Sequence, residues 1–487
     1  MLDLLLVRPG GKKRLYGSLS ETLAAVEPPM WVGLMAGIAR EKGFSVSVLD
    51  ADVEGLTARE VADRVTEAAP ALLGVVVSGS NPSASTMSMA EAGDILRAVK
   101  ELSPETPAFL SGLHPSALPE HTLRHELADF VVQGETFLTL IPLLEAAKSR
   151  SLDGPLEIPG LWVRRGEQIL SNDRPPLVAD LDSLPMIAWD LLPMDHYRAH
   201  NWHCFAHPDR RQPYAVIYTS LGCPFRCDFC CINAIFGAPG IRYRSPEKVL
   251  EEIDLLHDTY GVTNLKIMDE MFVLKPSHVL AICDGLIERN YGLNIWAYAR
   301  IDTVNEALLN RLKAAGVNWL AYGIEAGNNA VRQGVAKGGF DGRQILKAIA
   351  MTKEAGIHVG GNFIFGLPED TADTMQETLD LAIELNCEYA NFYAAMAFPG
   401  SELYDQAIAE GWPLPTSWAG YSQYGRDTFP LPTKYLTSSE VLRFRDHAFR
   451  EYYSRPEYLQ MLRETFGPPA VEHVQTMLER KLDRKYA

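Results

Sequence analysis

The sequence has few of the features that mark nucleic-acid-binding, membrane-spanning or secreted proteins. Its 45 Lys and Arg residues are outnumbered by 62 Asp and Glu residues, and the net charge of -17 argues against binding to a phosphate backbone. The short basic stretches at residues 12–14 and 480–485 are typical of solvated faces, and we assign them no function. No apolar run reaches the roughly 18 residues of a membrane span. The sequence therefore predicts neither a nucleic-acid partner nor a membrane span.

The N-terminus and the cysteines also lack the signs of secretion. Residues 1–7 have no basic region and no cleavage site, so we expect them to form a buried first strand. The seven cysteines are an odd number, and four of them lie between residues 223 and 231. This arrangement suits a metal site better than disulfides and favours a cytoplasmic location. With 487 residues, 47% of them hydrophobic, the chain is expected to form two or three globular domains.

Residues 1–150 alternate short β-branched segments with helical patterns. This alternation predicts an α/β domain with a Rossmann-like parallel sheet covered by helices on both faces. Loops rich in small or polar residues follow most of the predicted strands, and such sheets bind ligands at the carboxyl ends of their strands. The predicted strands are 4–8, 45–50, 72–78, 108–111 and 130–133.

The rest of the chain divides into three further parts. Residues 151–212 are rich in Pro and Asp and are predicted to form a linker that contains one short β-hairpin. Residues 213–430 show a second alternation, which predicts a partial, TIM-like (βα)6 barrel, and residues 431–487 are predicted to be helical. The barrel strands are predicted at 215–220, 264–268, 294–299, 319–324, 358–365 and 389–395.

Three cysteines follow the first predicted barrel strand with the spacing C-x3-C-x2-C. Cys223, Cys227 and Cys230 can each bind one iron of a 4Fe-4S cluster, which leaves the fourth iron open to another ligand. A structural zinc site is the alternative, and it requires a fourth ligand at regular spacing. Cys231 is adjacent to Cys230 and is poorly placed for that role, and no second C-x2-C pair follows. The spacing therefore favours an iron-sulfur cluster.

This cysteine loop, with Phe229 just before its last cysteine, resembles that of the radical S-adenosylmethionine superfamily. The resemblance covers about residues 213–430. It implies that the open iron binds the amino and carboxylate groups of S-adenosylmethionine, near Phe229, and that reductive cleavage yields a 5′-deoxyadenosyl radical. It also implies an electron donor of the flavodoxin or ferredoxin type.

Further segments resemble the superfamily in the order of its strands. The resemblance implies that Asp269 and Glu270 accept hydrogen bonds from the methionine amino group, since a carboxylate suits an ammonium. Arg300 would bind the methionine carboxylate or the ribose, and an ion pair at the end of the barrel is the alternative. Glu325 would make a polar contact near the cofactor. Gly366 belongs to a glycine-containing segment that would border the adenine.

The N-terminal domain resembles the cobalamin-binding subfamily of these enzymes. The resemblance implies that three loops contact the cofactor, and their candidate residues are Ser78, Gly79, Ser80, Gly112, His114, Gly134 and Glu135. The D-x-H-x-x-G motif of cobalamin mutases is absent, so no His ligand is expected below the cobalt. His114 is the nearest candidate, and a loop histidine bonded to backbone is the alternative. Dinucleotide binding is disfavoured because the first loop lacks the G-x-G-x-x-G spacing.

The combined resemblance implies methylation of an unactivated carbon in a small natural-product or lipid-like substrate. Two alternatives stay open: a cobalamin-binding radical enzyme that cyclises, oxidises or rearranges its substrate, and a cofactor-carrying sensor without turnover. The substrate is expected to enter between the two sheets and the C-terminal region. Aromatic residues there would either line a pocket or plug the barrel; they are Trp412, Trp418, Tyr421, Tyr424 and Phe429.

Overall fold

The computed structural model describes residues 2–17, 24–78 and 84–487. Its N-terminal part contains a parallel sheet with the strand order β2-β1-β3-β4-β5. These strands read as nearly continuous apolar runs because helices cover both faces of the sheet, and every residue of β3 is buried. The strands are β1 (Leu4–Arg8), β2 (Val46–Asp50), β3 (Leu72–Val77), β4 (Ala108–Gly112) and β5 (Phe130–Val132).

The covering helices follow from capping and amphipathic patterns in the sequence. The helix Ala58–Ala68, for example, begins with a capping box of Thr57 and Glu60 and buries Val61 and Val65 against the sheet. The helices of this part are Lys12–Tyr16, Met30–Glu41, Ala51–Glu54, Ala58–Ala68, Ala84–Leu102, Leu113–Ala117, Pro119–His125 and Leu140–Lys148.

The predicted hairpin forms and extends this first sheet. Strand β6 (Leu161–Arg165) pairs antiparallel with β5, and β7 (Gln168–Ser171) pairs antiparallel with β6. The hairpin thus belongs to the sheet of the N-terminal part, although the sequence suggests a place in the linker. The chain then continues through four short 3-10 helices: Leu181–Ser183, Trp189–Leu191, Met194–His196 and Asn201–Cys204.

The second sheet is parallel and curved into a partial barrel. Its order is β15-β14-β13-β12-β11-β8, so β8 and β15 form its two edges. The strands are β8 (Tyr214–Ile217), β11 (Asn264–Ile267), β12 (Asn294–Ala299), β13 (Val317–Glu325), β14 (His358–Phe365) and β15 (Tyr389–Ala394). The short strands β9 (Ser220–Leu221) and β10 (Arg242–Tyr243) form an antiparallel pair beside the barrel.

Helices surround the barrel and form the C-terminal region, as predicted. The main barrel helices are Pro246–Tyr260, Pro276–Arg289, Glu306–Ala314, Gly342–Glu354, Ala372–Leu385 and Glu402–Glu410. Shorter helical segments are Asn233–Phe236, Phe272–Leu274, Ile301–Thr303, Asn329–Gln333 and Trp418–Tyr421. The C-terminal helices are Ser438–Ser454, Pro456–Phe466 and Pro468–Glu479. Among the described residues, no helix has the length and apolar character needed to cross a bilayer.

Buried polar contacts join the two sheets. Arg242, beside the barrel, donates to both carboxylate oxygens of Glu135, which follows β5, at 3.0 Å for Oε2. Tyr197 of the connecting segment donates to Asp50 Oδ2 at 3.0 Å, at the end of β2. Such pairs fix the orientation of the sheets because an unpaired buried charge is costly.

Candidate active site

One cavity of about 1010 Å³ lies between the two sheets and continues into the barrel. Arg8 and Ser78 line it from the N-terminal side, at the carboxyl ends of β1 and β3. The chain leaves these two neighbouring strands toward opposite sides of the sheet, and ligands bind at such a switch point in parallel sheets. The cavity is therefore placed where an α/β domain holds a cofactor.

Every second residue of three barrel strands faces the cavity, as the two-residue period of a strand requires. Strand β12 contributes a run of large side chains, whereas the small residues of β13 and β14 leave space opposite them. The residues concerned are Trp296 and Tyr298 on β12 with Arg300 directly after it, Ala321, Gly323 and Glu325 on β13, and Gly360, Asn362 and Ile364 on β14.

All three predicted cluster ligands line this cavity. Cys223, Cys227 and Cys230 are free and half-buried. Burial raises the pKa of the Cys223 thiol to about 11 and that of Cys230 to about 12. A raised pKa keeps these thiols protonated in the absence of metal, and iron binding would remove the protons.

The backbone of the cysteine loop is held in place at both ends. Gly222 has a φ of +97°, and a Cβ atom there would lie 2.4 Å from Gly240 O, so only glycine fits. Within the loop, Asp228 N donates to Val335 O at 3.1 Å, and Asp228 O accepts from Leu403 N at 2.8 Å. These bonds fix the loop on the barrel before any metal is bound.

The three thiols line one cavity, which has room for a further ligand. In the part of the chain that the structure describes, no group of three or more His, Cys, Asp or Glu side chains is placed to hold one metal ion. The ligands of a cluster bind different irons, so they need not converge on one point as the ligands of zinc do.

Asp269 is close to the cysteine loop, but its carboxylate is engaged within the protein. Its Oδ1 accepts from Thr219 N at 2.6 Å, and its Oδ2 accepts from the hydroxyls of Thr219 and Ser220 at 2.5 Å each. Burial raises the pKa of this carboxyl group, and these hydrogen bonds oppose the rise. The structure thus assigns Asp269 to the support of the strand end that leads to Cys223.

Glu270, by contrast, presents an unused acceptor to the cavity. Its Oε2 is buried and has no hydrogen-bond partner among the described residues. Burial raises the pKa of its carboxyl group to about 8. An acceptor of this kind beside the cysteines fits the amino group of S-adenosylmethionine, as predicted for this residue.

Arg300 lines the cavity, but it is also part of an ion pair. Its Nε donates to Asp302 Oδ1 at 2.9 Å, and its guanidinium lies 3.9 Å from the ring centroid of Phe225 in the cysteine loop. The position of Arg300 is therefore compatible both with a contact to S-adenosylmethionine and with an ion pair at the end of the barrel. The stacking on Phe225 also ties the end of β12 to the cluster loop.

The ion pair of Glu325 and Lys337 was not expected from the sequence. Glu325 has a φ of +66°, rare for a residue with a side chain, at an irregular step in the pairing of β13 with β14. Its Oε1 lies 2.9 Å from Lys337 Nζ, and both side chains line the cavity near Cys227. The carboxylate keeps the pKa of Lys337 raised although burial opposes it. No motif marks Lys337, since a loop brings it back to the strand end.

Two predicted contacts of S-adenosylmethionine differ in their placement. Phe229 lines the cavity as expected. Gly366 does not line it: its φ is +83°, and a Cβ atom there would lie 2.4 Å from Val441 Cγ1. The structure gives Gly366 a packing role against the C-terminal helix Ser438–Ser454, and the cavity-lining glycine of this strand is Gly360.

The three predicted cobalamin loops are also placed differently from one another. Ser78 lines the cavity, and Gly79 and Ser80 lie outside the described residues. Gly112 and Gly134 take φ angles of +135° and +97°, and neither lines the cavity. Glu135 is used in the ion pair with Arg242 and also accepts from Val178 N at 3.3 Å.

His114 is buried behind the cavity wall. Its ring lies 4.4 Å from the ring of Trp418 in an edge-to-face contact, and its Nδ1 lies 3.3 Å from Thr86 Oγ1. Burial lowers the pKa of His114 to about 3, so the ring is neutral. The preceding residue, Leu113, lines the cavity instead. His114, a candidate cobalamin contact, therefore does not line the cavity.

The first loop supplies cavity residues that the sequence analysis did not select. Pro9, Gly10 and Lys12 line the cavity beside Arg8, which lies 3.2 Å from Asp50 Oδ2. The strand order determines this role, because the switch point lies between β1 and β3 and the first loop follows β1. Strand order is a property of the fold that no local motif displays.

Comparisons with known proteins agree with this geometry. Residues 217–382 match the Radical SAM superfamily, and residues 19–141 match the B12 binding domain. The uncharacterized methyltransferase PH0819 of Pyrococcus horikoshii is 28% identical over 461 residues, 94% of each chain. The anaerobic magnesium-protoporphyrin IX monomethyl ester cyclase of Rubrivivax gelatinosus is 25% identical over 397 residues, 80% of this chain and 68% of the cyclase.

A solved structure shares the fold. The radical S-adenosylmethionine methyltransferase TsrM of Kitasatospora setae has a TM-score of 0.68 and 18% identity, over 94% of this chain and 89% of TsrM. Fold and site thus define an enzyme that couples a B12 binding domain to a radical S-adenosylmethionine barrel. The chain thus carries a B12 binding domain followed by a radical S-adenosylmethionine domain, which confirms the predicted domain combination and the three cofactors that it implies, and the shared fold confirms the predicted fold class. Its relatives include methyltransferases, in agreement with the predicted enzyme class.

Proposed function

We propose that the enzyme methylates an unactivated carbon of a small molecule that binds in the barrel. When bound, the cluster and S-adenosylmethionine supply a 5′-deoxyadenosyl radical, and the corrinoid supplies a methyl group. The observation that carries the proposal is the shared cavity of about 1010 Å³, which the three cysteines and the carboxyl ends of β1 and β3 line together. Chemistry that uses both cofactors on one substrate requires this proximity.

The residues of the chain position S-adenosylmethionine and exclude water from it. Glu270 Oε2, which lacks a partner among the described residues, accepts a hydrogen bond from the methionine amino group. Lys337 and Arg300, on the same side of the cavity, are the cations available to its carboxylate. Phe229 packs between two apolar clusters and closes the site from solvent.

On the corrinoid side, we propose contacts from the first loop and from Ser78. Leu113 would contact the corrinoid there, whereas the neighbouring His114 does not line the cavity. The chemistry consumes low-potential electrons, and we propose a flavodoxin or ferredoxin as their donor. A cytoplasmic location accords with this requirement and with the seven free cysteines.

Isotope transfer tests the proposal directly. Anaerobically reconstituted protein is supplied with S-adenosylmethionine carrying a labelled methyl group, reductant, cobalamin and an extract of candidate substrates. We expect both 5′-deoxyadenosine and a small-molecule product that carries the label. Formation of 5′-deoxyadenosine with an unlabelled product would contradict methyl transfer. The Cys227→Ala variant serves as the control. It should lose the cluster absorbance at about 400 nm and the cleavage of S-adenosylmethionine, but it should keep the corrinoid.

A non-methylating reaction is the second candidate. The similarity to a cyclase over 80% of this chain favours it. The same experiment separates the two functions, because a cyclised, oxidised or rearranged product does not carry the label.

A further inference from the structure

The cavity reaches the protein surface at the C-terminal region. Arg450, Arg480 and Lys481 line it and are solvent-exposed. Tyr424 and Phe449 line the cavity between this opening and the barrel. We call the opening formed by Arg450, Arg480 and Lys481 the basic mouth.

The basic mouth is assembled from two segments that touch. Arg450 belongs to the helix Ser438–Ser454, and its guanidinium lies 3.4 Å from Leu478 O and 3.5 Å from Arg480 O. These contacts hold the guanidinium beside residues 480 and 481, where the last helix ends. Both are long for hydrogen bonds, so most of the donor capacity of Arg450 is free for a ligand.

Among the described residues, the three cations of the basic mouth have no carboxylate within 4 Å. The cations deeper in the cavity each have a carboxylate partner. The deeper pairs are Arg8–Asp50 at 3.2 Å, Lys12–Asp52 at 2.7 Å, Lys266–Glu27 at 2.8 Å, Arg300–Asp302 at 2.9 Å and Lys337–Glu325 at 2.9 Å. Surplus positive charge is therefore concentrated at the mouth.

Asp446, a carboxylate that lines the cavity, is already paired. Asp446 Oδ1 lies 2.8 Å from Arg445 and 2.9 Å from Arg484. Two guanidinium groups thus share one carboxylate, so Asp446 cannot offset the three cations of the mouth. The chain as a whole has a net charge of -17. The local surplus of positive charge at the basic mouth therefore attracts anions, and the mainly apolar walls of the cavity strengthen this attraction.

We propose that the substrate carries a phosphate or a comparable multiply charged oxyanion, which Arg450, Arg480 and Lys481 bind while the rest of the molecule enters the barrel. Arginine forks match the geometry of such groups, and lysine adds a point charge. This inference rests on the proposed function, whose substrate class it names. It would give a function to Arg480 and Lys481, which belong to a basic stretch to which the sequence alone assigns none.

Calorimetry with inorganic pyrophosphate tests the proposal without turnover, so its outcome does not depend on methyl transfer. We expect the corrinoid-loaded protein to bind pyrophosphate, and Arg450→Gln/Arg480→Gln/Lys481→Gln to bind it at least about tenfold more weakly, as expected when hydrogen bonds to a charged group are lost. The affinity should fall as salt is added. Absence of pyrophosphate binding to the unmodified protein, or equal binding by the triple variant, overturns the proposal.

A matched variant controls for net charge. Arg343, Lys347 and Arg463 are exposed and do not line the cavity, and their replacement by Gln removes the same three charges. This control should bind pyrophosphate as the unmodified protein does, and an equal loss of affinity overturns the proposal. A second arm measures corrinoid retention by the triple variant. Loss of the corrinoid would assign the cations to the phosphate of that cofactor and would also overturn the proposal.

Discussion

The ammonium of Lys337 lies 2.9 Å from Oε1 of Glu325, and both groups are buried on the wall of the cavity that holds the three cysteines. The pair neutralises two charges that neither residue could carry alone at this depth. It also fixes the loop of Lys337 to the strained end of β13, where Glu325 has a φ of +66°. The contact therefore links the backbone of the barrel to the electrostatics of the site.

Removing one member of this pair should be more harmful than removing both. Lys337→Met leaves the Glu325 carboxylate buried without its cation, and we expect a loss of about 3–5 kcal/mol in the free energy of unfolding. The double variant Glu325→Gln/Lys337→Met should recover a large part of that loss. Urea denaturation of the metal-free variants measures both values. Additive losses in the double variant would show that the pair is not coupled.

Asp269 and Glu270 are adjacent in sequence but should respond differently to loss of charge. Asp269→Asn introduces an amide that opposes the donors of Thr219 and Ser220, so we expect a loss of about 2–3 kcal/mol of stability and less iron after reconstitution. Glu270→Gln should not lower the stability but should weaken the binding of S-adenosylmethionine. Denaturation, iron analysis and equilibrium dialysis measure these quantities. Equal effects of the two substitutions on cofactor binding would contradict the assignment.

The metal-free protein should lose stability as the pH rises toward 8, because of Glu270. Burial raises the pKa of its carboxyl group to about 8, whereas an unfolded Glu titrates near about 4.3. Between these two pKa values the folded state holds a proton that the unfolded state releases. The stability that Glu270 contributes is therefore complete below the unfolded pKa and disappears as the pH rises past 8. Urea denaturation between pH 5 and 9 should show a weaker decline in Glu270→Gln. Identical slopes in both proteins would contradict a buried, protonated Glu270.

Local patterns were sufficient to predict most of the second sheet. The predicted bounds of β12 and β14 equal the observed ones. Strand β13 extends from Val317 to Glu325, longer than predicted, and its end departs from regular pairing at Gly323. An irregular strand end that positions a buried carboxylate depends on its partner strand, which the local sequence does not contain.

The positions of the cysteines on the cavity also agree with their spacing in sequence, but the partners of the other site residues depend on tertiary structure. Glu135 has the loop position expected of a cofactor contact, yet Arg242, 107 residues further along, occupies its carboxylate. Gly366 has the expected composition, yet a C-terminal helix fills the space beside it. Sequence motifs indicate which residues could contact a cofactor. Tertiary packing determines which of these residues are free to do so.

His114 provides the test of the corrinoid environment. Its ring packs against Trp418 at 4.4 Å and is neutral, and it does not line the cavity, so we expect His114 not to coordinate cob(II)alamin bound to this protein. Electron paramagnetic resonance measures this directly, since a coordinating nitrogen splits the cobalt lines into triplets. His114→Ala should show the same spectrum as the unmodified protein and should be destabilised by about 2–3 kcal/mol through the cavity left beside Trp418. Triplets that disappear in His114→Ala would show that the histidine rotates out of the wall to bind cobalt, and the neutral buried ring would then be a state of the cofactor-free protein alone.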